Sequence, residues 1–539
     1  MNSWADHLVI APIVAPLVAA GLMLLAQERQ RNLKAAMSFV TIIALLATAL
    51  YLLVVGARGD GAASVYTLGN WAAPFGIVLV ADLLSALMLA LTAILALAAL
   101  VFSLARWDRA GPRFHALFML LLTGLNGAFL TGDLFNLFVF FEVLLAASYG
   151  LVLHGSGGPR VKAGLHYIAI NLSASALFLI GVAMIYGVTG TLNMADLAVR
   201  IPAIAAADLM LFEIGCALLG VAFLVKAGMW PLGFWLPATY SATSAPAAAM
   251  FAIMTKVGVY VVLRLSLLLF GEDAGASAEF GAPWILAGGF ATLVFGAIGV
   301  LASRTMSRIA GFCVLMSSGV MLAVIGAGGR EALSGALFYM ISSTLAVSAF
   351  FLLIELLNRA RGATGAAIAA PVFSDEYRDP YDDGAPDEEV GVIIPAAIAM
   401  ISGGFLLCTL LLAAMPPLSG FIGKFAIMAG LLQGEGEIGA TSWALIGVLT
   451  LSSLTTLIAL VRVGIDVLWT PSENPPPRVR TVEFAAIAGL LLICVMLTIQ
   501  GGPVLRYMDA TTAWLHAPQD YIHAVLAPPE APDLAEAAP

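Results

Sequence analysis

Charge is what this 539-residue chain has least of: 11% of its residues are Asp, Glu, Lys or Arg, 61% are hydrophobic, and the mean hydropathy is +1.00. So few charges cannot cover the surface of a soluble domain, which leaves a polytopic membrane protein. Cysteine is scarcer still. Cys216, Cys313, Cys408 and Cys494 stand singly in apolar segments, so neither a disulfide framework nor a metal-ligand spacing is present, and they read as small packing residues. A nucleic-acid patch is missing, and the net charge of −9 says little about partners because ten acidic residues fall in or near two loops, 375–389 and 435–437. With no haem, flavin or iron–sulfur signature, no cofactor is expected. The first apolar stretch, from Leu8 to Ala26, lacks a basic leader and a cleavage site, and reads as a retained span.

Long apolar runs fill the place of charge. A membrane-crossing helix needs about 20 predominantly apolar residues, and fourteen segments qualify: 7–26, 32–55, 79–104, 113–131, 133–153, 162–188, 208–229, 245–270, 282–302, 306–327, 331–358, 391–415, 441–469 and 480–501. Two further apolar pieces, 230–240 and 416–433, continue their predecessors across Trp230-Pro231 and Pro416-Pro417. Proline removes a backbone hydrogen bond, so Pro231, Pro416 and Pro417 predict broken helices.

The basic residues support this map, because cytoplasmic loops hold the excess of Lys and Arg. Alternate loops carry fifteen: Arg29, Arg31, Lys34, Arg106, Arg109, Arg113, Arg160, Lys162, Arg304, Arg308, Arg359, Arg361, Arg378, Arg478 and Arg480. The opposite loops hold Arg58, Arg200, Arg330 and Arg506. Both termini are therefore expected on the periplasmic or extracellular side. One polar insertion, 359–390, is an acidic cytoplasmic loop that either links two halves or gathers cations and docks another polypeptide of a complex. Beyond 502 the Pro- and Ala-rich chain is expected to be a disordered tail.

Five basic residues remain inside spans. Arg264 and Arg462 lie near helix ends, where they can snorkel or pair locally; Lys226, Lys256 and Lys424 do not. With Glu142 in the fifth span, the lysines make four charges at depth. Each costs about 2.5–3.5 kcal/mol unless it pairs or meets water. Lysine suits a relay because burial lets it take and release a proton, whereas arginine stays charged. A Glu142–Lys226 pair would hold that lysine charged and, on opening, pass its proton toward Lys256. Pro231-Leu232-Gly233-Phe234 after Lys226 is echoed by Pro417-Leu418-Ser419-Gly420-Phe421 before Lys424, which suggests an internal duplication. The competing explanation is that these charges only pair to hold helices together. Asp82, Glu213, Glu355, Asp466, His154 and His166 read as interfacial residues, His166 being the first auxiliary candidate for the relay. Asn136 and Asn171 are candidates for hydrogen bonds between helices.

The segments Gly132-Asp133-Leu134-Phe135-Asn136-Leu137-Phe138-Val139-Phe140-Phe141-Glu142-Val143, Lys226…Trp235-Leu236-Pro237 and Thr255-Lys256-Val257-Gly258-Val259-Tyr260 resemble the antiporter-like subunits of respiratory complex I, membrane-bound hydrogenases and Mrp-type cation/proton antiporters. Within that superfamily the chain is most similar to the D subunits of Mrp-type multisubunit Na+(K+)/H+ antiporters, whose length it shares. The resemblance spans about 70 to 500. It implies an all-α fold of about fourteen transmembrane helices with two inverted five-helix repeats, broken at helices 7 and 12. The expected units are helices 1–3 (1–104), a first repeat (113–270), a second (282–469) and a last helix with tail (480–539). It also implies proton transfer by Glu142, Lys226, Lys256 and Lys424. The stretch Gly233–Tyr240 lacks the histidine that complex I relatives carry, so no histidine step transfers.

Three functions compete at this point. The first is a proton-translocating subunit of a multisubunit Na+ or K+/proton antiporter in the bacterial inner membrane, a secondary transporter rather than an enzyme, driven by the proton-motive force and supporting pH and salt homeostasis with other membrane subunits. The second is a proton-pumping arm of a redox complex. The third is a membrane scaffold whose buried charges are structural.

Overall fold

The computed structural model describes residues 6–58, 63–71, 75–360, 396–433, 439–466 and 480–527. The acidic insertion beyond Ala360, the residues 435–437 and the final Pro528-Pro529-Glu530 lie outside the described residues.

In hydrocarbon every backbone N–H and C=O must be satisfied within the protein, so the apolar runs become helices. They are α1 (Ala11–Leu25), α2 (Arg31–Arg58), α3 (Leu83–Ser103), α4 (Phe114–Leu130), α5 (Leu134–Leu153), α6 (Gly158–Thr189), the short α7 (Met194–Arg200), α8 (Ala206–Ala227), α9 (Trp235–Ala242) and α10 (Ala245–Leu269). There follow α11 (Ala282–Ala302), α12 (Met306–Ala327), α13 (Arg330–Ala360), α14 (Ala396–Leu412), α15 (Ser419–Leu432), α16 (Ala440–Gly464), α17 (Thr481–Ile499), α18 (Gly501–Leu515) and α19 (Pro518–Leu526). Among the described residues eleven helices are long and apolar enough to cross a membrane. The shorter apolar α1 and α4, together with the broken α14–α15 crossing, bring the total to the expected fourteen.

Both expected breaks are present, and they are built alike. α8 stops at Ala227, Gly228 turns left-handed at φ 76°, and Met229 N–H donates to the Leu224 carbonyl at 2.9 Å. After α14, Ala414 turns left-handed at φ 54° and Met415 N–H donates to the Leu410 carbonyl at 2.9 Å. Each arrangement satisfies an orphan carbonyl at a helix end, and each is followed closely by a cis X-Pro bond, Trp230-Pro231 and Pro416-Pro417. The duplication glimpsed in the sequence is thus repeated in backbone geometry. The Trp230 N–H freed by the first break donates to Thr292 Oγ1 on α11 at 2.8 Å.

α3, α10, α12 and α13 are the most buried crossings among the described residues and form the centre, with the other helices around them. At one end of the bundle, arginines of the basic loops, and Arg462 from the last turn of α16, cover helix C-termini. Arg480 donates to the Ala105 carbonyl just past α3 at 2.7 Å, Arg160 to Ala242 at the end of α9 at 2.9 Å, and Arg462 to Ser303 after α11 at 2.7 Å. Guanidinium groups fit there because the last carbonyls of a helix are unpaired and the helix dipole is negative at that end. His154, just past α5, lies at the same end, buried, with Nε2 at 2.8 Å from the Trp107 carbonyl.

The structure departs from the sequence reading in two places. Residues 79–81 do not belong to the third span: with Val78 they form β2 (Val78–Ala81), paired antiparallel with β1 (Ser64–Thr67), and α3 begins only at Leu83, capped by Asp82. The expected disordered tail is helical through Leu526. Met508, Thr511, Thr512 and Leu515 are buried at helical spacing on α18, and Tyr507 donates to the Leu83 carbonyl at 2.7 Å. Proline and alanine content masked this face, because alanine is compatible with a helix and Pro518 sits in the first turn of α19, where it costs nothing.

His154 yields a prediction at the basic end. Burial holds its imidazole below the ordinary value of about 6.5, opposed by the Trp107 hydrogen bond and reinforced by Arg160. The unfolded chain takes up a proton at the ordinary value while the folded chain does not, so stability is full above about pH 6.5 and is lost as pH falls below it. Thermal unfolding in detergent at pH 7.5 and 5.5 should show a drop for the wild type. It should be smaller for His154→Gln, whose amide can still donate to Trp107 but does not titrate.

Candidate functional site

All four charged residues singled out from the sequence lie near the middle of their helices or beside a break. The three lysines are buried, 8% (Lys226), 1% (Lys256) and 5% (Lys424) exposed; Glu142 is half-buried. None of the four is in an ion pair among the described residues. The expected Glu142–Lys226 pair is therefore replaced by a relayed contact. Lys226 Nζ donates to Asn171 Oδ1 at 2.8 Å, and Ser175 Oγ donates to Glu142 Oε1 at 2.5 Å. Asn171 and Ser175 are four residues apart on α6, one above the other on one face, so α6 supplies the polar edge between carboxylate and ammonium. The Lys226 ammonium also sits 5.8 Å over the Phe141 ring.

Lys256 lies one helix further along. Gly258 brings α10 against the backbone of α8 beside Lys226; a Cβ there would come within 2.6 Å of Ala227 N. The Lys256 ammonium donates to Ser317 Oγ at 2.8 Å and Ser318 Oγ at 3.3 Å, both on α12. Lys424, on α15 after the second break, donates to Ser452 Oγ and Ser453 Oγ at 2.8 Å each and lies 5.7 Å over the Tyr339 ring. Each buried lysine is thus held by neutral oxygens. Such oxygens accept from an ammonium, and serine hydroxyls can equally donate to a neutral amine.

The buried Arg264, near the end of α10, is built differently. Arg264 makes a two-pronged ion pair with Asp82, 182 residues away rather than local, with NH2 at 3.0 Å from Oδ1; the Tyr260 hydroxyl accepts from the same nitrogen at 2.9 Å. Tyr521 of α19 covers the guanidinium at 5.4 Å. Arg359 similarly bonds Glu483 at 2.6 and 3.1 Å and Glu355 at 3.2 Å.

Of the secondary candidates, Asn171 does bond between helices, whereas the side-chain amide of Asn136 donates to Thr131 Oγ1, five residues back, at 3.0 Å. His166 is exposed on α6, its Nδ1 3.0 Å from the Lys162 carbonyl of its own helix, and does not join the buried polar groups. The sequence reading missed the serines. Their signal was present: Ser317-Ser318, Ser342-Ser343 and Ser452-Ser453 are adjacent pairs in otherwise apolar spans.

Comparison with known proteins identifies the family. Residues 131–370 match the transmembrane family "NADH:quinone oxidoreductase/Mrp antiporter, TM". The chain is 53% identical to a Rhizobium meliloti (strain 1021) protein named as the D subunit of a probable K(+)/H(+) antiporter, over 98% of this chain and 99% of that one. It is 33% identical to the D subunit of the Na(+)/H(+) antiporter of Bacillus subtilis (strain 168), over 97% and 99%. A chain in the structure of the Mrp complex from Dietzia sp. DQ12-45-1b superimposes with a TM-score of 0.83 at 26% identity, covering 98% of this chain and 100% of that chain. A chain of respiratory complex I from Thermus thermophilus shares the fold at a TM-score of 0.73 and 20% identity, over 96% and 100%. The chain belongs to the family of Mrp-type antiporter D subunits.

Proposed function

We propose that this chain is the proton-translocating subunit of a multisubunit antiporter that exchanges a monovalent cation, K+ or Na+, for protons at the expense of the proton-motive force. Glu142, Lys226, Lys256 and Lys424 carry the protons, and other membrane subunits complete the complex. The supporting observation is the contrast between the buried arginine and the buried lysines. Arg264 is locked to a carboxylate, as a structural charge must be, while the three lysines are held by amide and hydroxyl oxygens that leave each free to be charged or neutral. The setting is the bacterial inner membrane, with the arginine-capped end cytoplasmic and both termini outside. The two halves that share the broken-helix geometry, 113–270 and 282–469, act as paired units. Such an exchanger serves pH and salt homeostasis.

The test uses inverted vesicles containing the whole complex with an imposed pH gradient. Potassium is tried first, because the 53% identical relative is named for K(+). Addition of KCl or NaCl should collapse the gradient within the wild-type vesicles and not in vesicles lacking the complex; absence of any cation effect would remove the proposal.

A further inference from the structure

The first helix break leaves an apolar slot beside it. α8 packs on α6 and α10, and α11 packs on α12 and α16, so α8 and α11 stand apart with α10 as the floor between them. The slot holds about 500 Å³ and is walled by Gly220 and Leu224 of α8, Trp284 and Ile285 of α11, and Leu265 and Leu269 of α10. Its inner end is closed by the break itself: the Met229 sulfur presses on Gly288, where a Cβ would come within 2.2 Å, and the Trp230 N–H holds Thr292 Oγ1 at 2.8 Å. At the other end stand Phe212, Phe270 and Phe280, with successive ring centroids 6.5 and 5.6 Å apart. Ala217 and Trp284 at the rim are exposed, so the slot opens sideways onto the outer face of the bundle. All three helices are long and apolar enough to cross a membrane, and the start of α11 lies at the end opposite the arginine caps.

Water does not suit this slot, because a buried water needs about two to four polar partners and the Ser266 hydroxyl in its lining already donates to the Leu263 carbonyl at 3.1 Å. An empty cavity is destabilising in proportion to its volume. A transmembrane helix from another polypeptide is too large: at a diameter of about 10 Å and a rise of about 5.4 Å per turn, the slot would take roughly one turn. From this shape and lining we infer that the slot binds one acyl chain of a bilayer phospholipid, inserted sideways from the leaflet opposite the arginine-capped end. A methylene chain has no polar group to satisfy and is narrow enough to lie along α8 as far as the break. Trp284, at the start of α11, stands where interfacial tryptophans meet lipid headgroups. Bulk lipid is as apolar as the slot, so the chain is retained by packing against walls that otherwise lack partner atoms. Once seated, it braces α8 against α11 beside the break. The inference needs only the membrane setting and stands whether or not the antiporter reading does.

The test reconstitutes the whole complex in phosphatidylethanolamine and phosphatidylglycerol vesicles doped with a phosphatidylglycerol that carries a diazirine midway along one acyl chain. After illumination, peptide mass spectrometry maps the adducts. Leu219, Leu265 and Leu269 line the slot and are 3%, 7% and 5% exposed, out of reach of a chain that stays in the bulk bilayer. Ile298, 61% exposed on the outside of α11, reports that bulk. Adducts are expected on the slot leucines as well as on Ile298. Gly220→Phe fills the slot, since nothing lies within 4 Å of a Cβ there, and should cut the slot adducts about fivefold or more while leaving Ile298 unchanged. Ala217→Phe narrows the mouth, should do the same, and answers the question where Gly220→Phe does not assemble. Wild-type labelling confined to Ile298 and other exposed side chains would overturn the inference, whether the slot is then empty or covered by another subunit. Slot adducts that persist in the variants would also overturn it. So would slot adducts from photoreactive palmitic acid but not from the phospholipid, which would assign the slot to a free fatty acid.

Discussion

Lys226→Arg should lose cation-dependent proton exchange as completely as Lys226→Ala, each falling by roughly 10²-fold, the scale of a lost acid–base group. The charge is conserved in the first substitution and deleted in the second, so equal losses mean that release of a proton, not the presence of a positive charge, is what position 226 supplies. Arginine cannot release one at any physiological pH. Asn171 Oδ1 offers an acceptor at 2.8 Å to either side chain, so a structural role predicts that arginine rescues the function. Glu142→Gln belongs to the same series. Its amide oxygen can still accept from Ser175, keeping the local geometry, but it cannot be protonated. Retention of exchange by Lys226→Arg and Glu142→Gln, measured at matched assembly, would place both residues among the scaffold charges.

Arg264→Met is expected to do the opposite: to cost about 3–5 kcal/mol of stability while leaving the exchange rate of the surviving complexes near that of the wild type. Removing the guanidinium strands the Asp82 carboxylate, which is 2% exposed and has no other cation among its described contacts. The pair links the start of α3 to the central α10 and is covered by Tyr521, so its loss loosens the C-terminal helices as well. Adding Asp82→Asn to Arg264→Met should recover most of the stability. Asparagine keeps the cap on the Ser85 N–H, and no buried charge is then left over. Thermal unfolding and resistance to proteolysis in detergent measure both effects. If the double variant is no more stable than the single one, the pair is not the structural lock that its geometry implies.

The series separates two kinds of buried charge that hydropathy treats alike. Lys256 and Arg264 lie eight residues apart on α10 and are both buried. One meets two serine hydroxyls on α12 and the other a carboxylate at the cap of α3. From composition, both are costly insertions awaiting an explanation. The partner is what separates the proposed relay lysine from the ion-paired arginine, and both partners lie more than 60 residues away along the chain.

Much of the architecture was legible because the membrane imposes a strong one-dimensional code. About twenty apolar residues span hydrocarbon, X-Pro steps interrupt the helix, and arginines collect at one end; each follows from local residue chemistry. The C-terminal helices escaped that code, since α18 and α19 lie on the protein with one buried face each and never need an unbroken apolar run. The β1–β2 hairpin escaped it too, because an apolar strand next to an apolar span looks like the start of that span.

The sequence by itself determined that this is a fourteen-span chain with two broken helices and with Glu142, Lys226, Lys256 and Lys424 at depth, because the cost of burying charge makes those positions conspicuous wherever they occur. Only the tertiary structure decided what each charge touches. Asn171 and Ser175 come between Glu142 and Lys226, paired serines hold Lys256 and Lys424, and a carboxylate holds Arg264. The reason is geometric: a side chain on a packed helix meets neighbours chosen by helix rotation and close glycine contacts, and neither is written in the local order of residues.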